Sequence, residues 1–258
     1  MIRFLIYSLL IISTFVSAQN DTSPRFEHGI ALGVNIGAST PISFPATIRK
    51  INYWSPHFNP SLGYECMYHT TSKFGFALGV KLDFKGMTVK DEVMYMRTKI
   101  VLHDGSNTEV SEGYFTGSNE TNMHNIYLTI PFLVTYDVTT NWRLKLGGYA
   151  AALLDSKFTG TVSNGYLRKD TPLGEKVLID RTTFDLSADQ NKWDIGLLLA
   201  GERYIAKRVA LAGSFAWGLT PLFPKDKRSM DFNMYNLYLT VGVAYRINPA
   251  FKMQEQTE

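Results

Sequence analysis

FGFALGVKLDFKG, residues Phe74–Gly86, alternates without a break. Its even positions are Phe74, Phe76, Leu78, Val80, Leu82 and Phe84; the odd ones between are Gly75, Ala77, Gly79, Lys81, Asp83 and Lys85. A period of two is the signature of a β-strand, because successive side chains leave opposite faces of the pleat. The period alone does not say which face meets water. That has to come from the rest of the chain.

The same pattern recurs along the sequence. Ile30, Leu32, Val34 and Ile36 oppose glycines and alanine between His28 and Ser39, and Leu62, Tyr64, Cys66 and Tyr68 alternate with Gly63, Glu65 and Met67. Further alternating runs occupy Asn125 to Asp137, Trp142 to Leu154, Trp193 to Arg203, Val209 to Leu219 and Tyr235 to Ile247. With the quoted stretch this predicts about eight strands, each near the length a tilted strand needs to cross a bilayer. No long stretch has the apolar spacing of an amphipathic helix.

Connections alternate in length. Thr70 to Lys73, Val138 to Asn141 and Ile205 to Arg208 read as short turns, whereas Thr40 to Asn59, Gly86 to His124, Asp155 to Lys192 and Thr220 to Met234 are long. Short turns at one rim and long loops at the other predict an all-β, transmembrane, antiparallel up-and-down barrel, with short periplasmic turns and long extracellular loops. Within the longest loop, Val93 to Leu102 is expected to pair with Glu109 to Phe115 around Asp104-Gly105-Ser106-Asn107 as a protruding hairpin.

The first residues, MIRFLIYSLLIISTFVSAQN, carry one arginine, an apolar run and Ser17-Ala18 as cleavage context. They read as a signal peptide over 1–18. A short periplasmic segment over 19–27, the barrel over 28–247 and a polar tail over 248–258 complete the expected organisation. Gln19 rather than cysteine follows the expected cleavage point, so no lipoprotein anchor is expected, and the single cysteine, Cys66, has no internal disulfide partner.

Composition helps to orient the faces. Aromatic residues make up 13% of the chain, and charged residues, at 19%, fall below the roughly 25% of soluble domains. A solvated exterior would carry Thr, Lys, Glu and Gln on the less apolar face; on the runs Phe74–Gly86 and Val209–Leu219 that face holds mainly Gly, Ala and Ser with a few ions. A soluble eight-stranded barrel would need all the large aromatics inside, where they do not fit. Outside, they form two rows: Tyr68, Phe74, Tyr136, Trp142 and Tyr245 at the short-turn rim, and Phe84, Trp193, Trp217 and Tyr235 at the other. Such rows are expected where rings meet lipid headgroups. Tyr204 has the wrong parity to join them. Pro131, inside a strand of a barrel with no free edge, predicts a local bulge.

The inward ions are Glu65, Lys81, Asp83, Lys85, Arg143, Lys145, Asp194, Glu202 and Arg246. They are expected to form a salt-bridge network filling a narrow lumen; the competing reading is a narrow pore. Histidines 28, 57, 69, 103 and 124 show no metal-ligand spacing and no G-x-S-x-G elbow is present, so no catalytic residue, cofactor or metal is expected. A net charge of +3, with scattered Lys and Arg, argues against nucleic acid.

NIYLTIPFLVTYDVTTNWRLKLGGYAAALL resembles the PorT-like outer-membrane β-barrel family, through Tyr127-Leu128-Thr129-Ile130-Pro131-Phe132-Leu133 and then Gly147-Gly148-Tyr149. WDIGLLLAGERYIAKRVALAGSFAWGL is similar to that family's following hairpin. The resemblance implies an integral outer-membrane barrel with no catalytic residues, and for some members an association with protein secretion. The expected function is therefore a non-enzymatic envelope scaffold or interaction protein, with outer-membrane lipid and envelope or secretion proteins as partners. A narrow pore and a lipid-modifying barrel enzyme are the alternatives.

Overall fold

The computed structural model describes residues 26–71, 73–104, 107–224 and 232–248. The expected signal peptide, and the tail beyond residue 248, lie outside the described residues. Ten strands follow one another: β1 Phe26–Thr40, β2 Ile48–Pro56, β3 Pro60–His69, β4 Phe74–Asp104, β5 Asn107–Thr139, β6 Trp142–Lys169, β7 Lys176–Asp185, β8 Trp193–Tyr204, β9 Val209–Gly218 and β10 Tyr235–Arg246. Eight of them pair in an antiparallel ring, β1-β3-β4-β5-β6-β8-β9-β10 and back to β1. Closure leaves no unpaired backbone edge in this part of the sheet, the condition for β-structure to persist in hydrocarbon.

β2 and β7 stand outside the ring. β2 pairs with β4 only from Met87 to Val93, above the point where β3 stops, and β7 pairs with β6 only from Thr159 to Arg168, above the end of β8. The long strands β4, β5 and β6 therefore continue beyond the barrel and, flanked by β2 and β7, form a curled five-stranded head.

Burial along β4 shows how one ribbon serves both environments. Phe74, Phe76, Leu78 and Val80 are exposed large hydrophobics, whereas Ala77, Asp83, Lys85 and Met87 are buried. Apolar groups point out and ions point in. From Phe74 to Phe84 the rise is about 25 Å for a strand tilted by about 40°, matching the apolar band of an outer-membrane barrel. Past Gly86 the chemistry of the two faces exchanges without a change of parity: Thr88, Lys90 and Glu92 take the outer positions while Met87 and Val93 are buried.

Three expectations are corrected. Gly86–His124 does hold the expected pairing of Val93–Leu102 with Glu109–Phe115, but it is not otherwise a loop: it is the upper half of two continuous strands of 31 and 33 residues. Its alternation is hidden in the sequence because the register shifts between Val93 and Met96, which moves inward residues from odd to even numbers. Pro131 causes no bulge: Leu78↔Phe132 and Lys81↔Thr129 keep one register across it, although the intervening pairs lapse. Gly79 stands opposite, and a Cβ there would lie 3.2 Å from Pro131 Cγ, so the missing side chain makes room for the ring. The bulge falls instead at Leu154, between Tyr127↔Leu153 and Ile126↔Asp155. Finally, β1 begins at Phe26, so Glu27 belongs to the barrel and not to a preceding segment.

Candidate functional site: a filled lumen beneath an apolar head

Strand alternation brings the ionic side chains of seven strands into one column. Nearest the short turns, Arg143 is completely buried. Its guanidinium donates through Nε to Asp137 Oδ1 at 2.6 Å and through Nη2 to Asp137 Oδ2 at 3.3 Å, while Nη1 reaches Glu27 Oε1 and the Tyr204 hydroxyl, both at 2.7 Å. Tyr204, the wrong parity for a headgroup row, is thus an inward ligand of this arginine. His69 Nε2 lies 3.4 Å from Glu27.

One layer higher, Arg246 donates to both oxygens of Glu202 and, at 3.1 Å, to Glu65. Lys145 bridges the same two carboxylates at 2.5 and 2.6 Å. Above lies a cavity of about 100 Å³ lined largely by small residues, among them Ala31, Gly33, Ala200, Ala212 and Gly242, which is room for a few waters. Asp83 follows, held by Lys81 at 3.3 Å, Ser61 at 2.7 Å and Asn35 at 3.3 Å.

The top ionic layer is centred on Lys85. Its ammonium is 3.4 Å from Asp194 and lies over the rings of Tyr127, Tyr238 and Tyr149 at 4.7, 5.5 and 5.6 Å. Asp194 also accepts from Tyr149 at 3.0 Å and Asn236 at 2.8 Å. In all, five cations face six carboxylates, each ion with an opposite partner. Pairing at these distances is what makes buried charge tolerable.

A reciprocal amide pair closes the column: Asn125 donates to Gln190 at 2.6 Å and Gln190 to Asn125 at 3.2 Å. Above it the interior turns apolar. Met87, Val93, Phe115, Met123, Phe158, Val162, Leu167, Ile179, Phe184, Leu222, Phe223 and Met234 form one buried cluster, with Phe158 and Phe223 packed edge to face at 5.0 Å. Leu222 and Phe223 descend from the segment after β9, which is tied down by Leu222 N–H donating to Met234 O and Asn191 N–H donating to Leu222 O. Among the described residues, the head caps the column with a packed core.

All nine sequence-assigned ions lie in this column. Glu27 and Asp137 were missed; both continue the inward parity of their strands by one step, which is the signal that could have found them. The aromatic rows sit at the rims: Phe74 packs on Tyr136 at 4.8 Å, Tyr68 on Phe26 at 5.1 Å, Trp142 under Arg203 at 5.5 Å, and Tyr245 accepts from Arg208 at 3.4 Å. At the opposite rim Phe84 neighbours His124 at 6.2 Å, Trp193 and Trp217 are exposed, and Tyr235 is half-buried. Of the other histidines, His28 meets the Tyr64 hydroxyl and His57 that of Thr88; the His103 side chain lies outside the described residues. Among the described residues no group of His, Cys, Asp or Glu is placed to hold a metal ion.

In the head, burial raises the Asp91 pKa against the hydrogen bond from Asn119. Burial lowers that of His57, helped by His124.

A closed eight-stranded barrel with an apolar outer band, aromatic rows at both edges and an ionic interior is a transmembrane barrel of the outer-membrane type. Residues 17–224 match the family model described as outer membrane protein beta-barrel domain. The chain belongs to that family and resides in the outer membrane. Among solved structures it is similar to Ail, the attachment invasion locus protein of Yersinia pestis, with 8% identity over 86% of this chain and 97% of that one and a TM-score of 0.31. Neisserial surface protein A gives 10% identity over 86% and 97%, TM-score 0.31. The outer membrane protein OprG of Pseudomonas aeruginosa gives 8% over 86% and 94%, TM-score 0.30. No curated protein matches.

Proposed function

We propose that this barrel is a non-enzymatic scaffold that uses the outer membrane as an anchor and presents its head to other envelope components. The resemblance to PorT-like barrels makes protein secretion the assembly it serves, with secretion or envelope proteins as its partners. The observation that carries the reading is the filled column. Opening a conduit would require breaking the Arg143–Glu27–Asp137 and Arg246–Glu202–Lys145–Glu65 clusters and then displacing the apolar core above them, and each broken buried pair costs about 3–5 kcal/mol. A head built from strands rather than irregular loops also suits a rigid display surface.

Purified protein in a planar bilayer tests this against the pore. The scaffold gives no steady conductance, and photo-crosslinkers placed on the head capture discrete envelope proteins. Steady openings of uniform size overturn the scaffold.

A further inference from the structure

Near the tip of the head the outer face carries an ordered grid of rings and cations. One row crosses four strands as Arg97, Tyr114, Arg168 and Lys176, each paired in register with the next. The adjacent row holds Thr116, Tyr166 and Leu178 in register, with Tyr95 joined to it because its amide donates to Thr116 Oγ1 at 3.0 Å. The inward neighbours Phe115, Leu167 and Ile179 are buried, so the grid faces away from the core.

Several features mark it as built rather than incidental. Two cations lie over the Tyr166 ring, Lys176 Nζ at 4.4 Å and the Arg168 guanidinium at 5.6 Å from its centre. Its hydroxyl shares hydrogen bonds with Thr116 and Tyr95, and these, with the two charges, lower its pKa. Tyr95 sits at φ 53°, a left-handed conformation that a bulky residue adopts only under strain. It occupies the register shift between Val93 and Met96, and such shifts re-aim side chains at functional surfaces. Arg97 pairs with Glu112 at 3.5 Å. By contrast, among the described residues neither Arg168 nor Lys176 has a carboxylate partner. Arg168 Nη1 donates to the Gly174 carbonyl at 3.0 Å while its buried Nε has no acceptor.

We propose that this grid binds an anionic polysaccharide, with Tyr114 and Tyr166 stacking on sugar rings while Arg168 and Lys176 hold sulfate or phosphate groups. Tyr114 stands between Arg97 and Arg168 on strands about 4.8 Å apart, and Tyr166 lies beside Arg168 and Lys176. Guanidinium forks and ring faces are the groups that recognise such ligands. Height excludes lipid headgroups as the occupant: from Phe84 to Arg97 the strand climbs about 30 Å above the outer aromatic row. The inference relies on the scaffold reading only for the outward display of the head.

The test uses the full mature chain in lipid nanodiscs and dextran sulfate as the probe, with neutral dextran and polyglutamate as comparators. Saturable binding of dextran sulfate is expected, weakened at least about tenfold in the Arg168→Gln/Lys176→Gln double variant. Tyr166→Leu weakens it and Tyr166→Phe retains it, whereas Lys90→Gln, lower on the same face, leaves it unchanged. Heat-modifiable gel migration verifies that each variant is folded. Absence of saturable binding, equal binding by the double variant, or equally tight binding of polyglutamate overturns the proposal. A folded, non-conducting barrel that ignores dextran sulfate would overturn the grid and leave the scaffold standing.

Discussion

Arg143 shows what a single residue does here. Every nitrogen of its guanidinium is engaged by Glu27, Asp137 or Tyr204, so removing it strips the cation from Asp137 and leaves Glu27 to Arg246 at 3.2 Å and His69 at 3.4 Å. Arg143→Gln is expected to lower stability by about 3–5 kcal/mol, read from urea unfolding followed by tryptophan fluorescence in bilayers. In the head, Asp91 acts in the opposite sense. Burial raises its folded pKa, so the folded state holds the proton more tightly and stability falls as pH rises from the unfolded value of about 4 through the folded one. Asp91→Asn removes that slope and makes the head more stable at pH 7. Amide exchange of head residues at pH 5 and pH 7 measures both, and an unchanged slope in the variant contradicts the assignment.

At the level of strands, the alternation of β3, β8 and β9 was legible because each stays in one environment and one register. Of the upper halves of β4, β5 and β6 only the tip pairing of Val93–Leu102 with Glu109–Phe115 was legible; the rest was not. There the faces exchange chemistry near Gly86, and shifts at Val93/Met96 and Thr116/Ser118 then change the parity, so a period-two reading loses the thread at two points. The lumen ions were legible for the same reason as the strands, and Glu27 and Asp137 escaped because they occupy strand ends. Pro131 was misjudged because its tolerance depends on a residue far away in sequence, Gly79, whose absent Cβ would sit 2.8 Å from Tyr64 O and 3.2 Å from Pro131 Cγ. Gly79→Leu is therefore expected to lower the temperature at which the heat-modifiable band shifts. Gly213→Ala, where the nearest atom is 3.9 Å away, leaves that temperature unchanged. Equal shifts would contradict this account of the proline.

The whole molecule joins two solutions to the same problem of burying apolar surface. In the bilayer the lipid covers the outer wall and paired ions fill the centre; above it, water covers the outer wall and an apolar core fills the centre. The two halves share strands, so the head is held rigidly at a fixed height over the membrane. A nitroxide scan along β4 from Phe76 to Glu92, in a Cys66→Ser background and with the protein in bilayers, tests this most directly. The account predicts that positions 76, 78 and 80 are accessible to dissolved oxygen and that 90 and 92 are accessible to a water-soluble nickel chelate. Positions 77, 83 and 87 should be accessible to neither. Nickel access at 77 and 83, with 76, 78 and 80 shielded from oxygen, would contradict it.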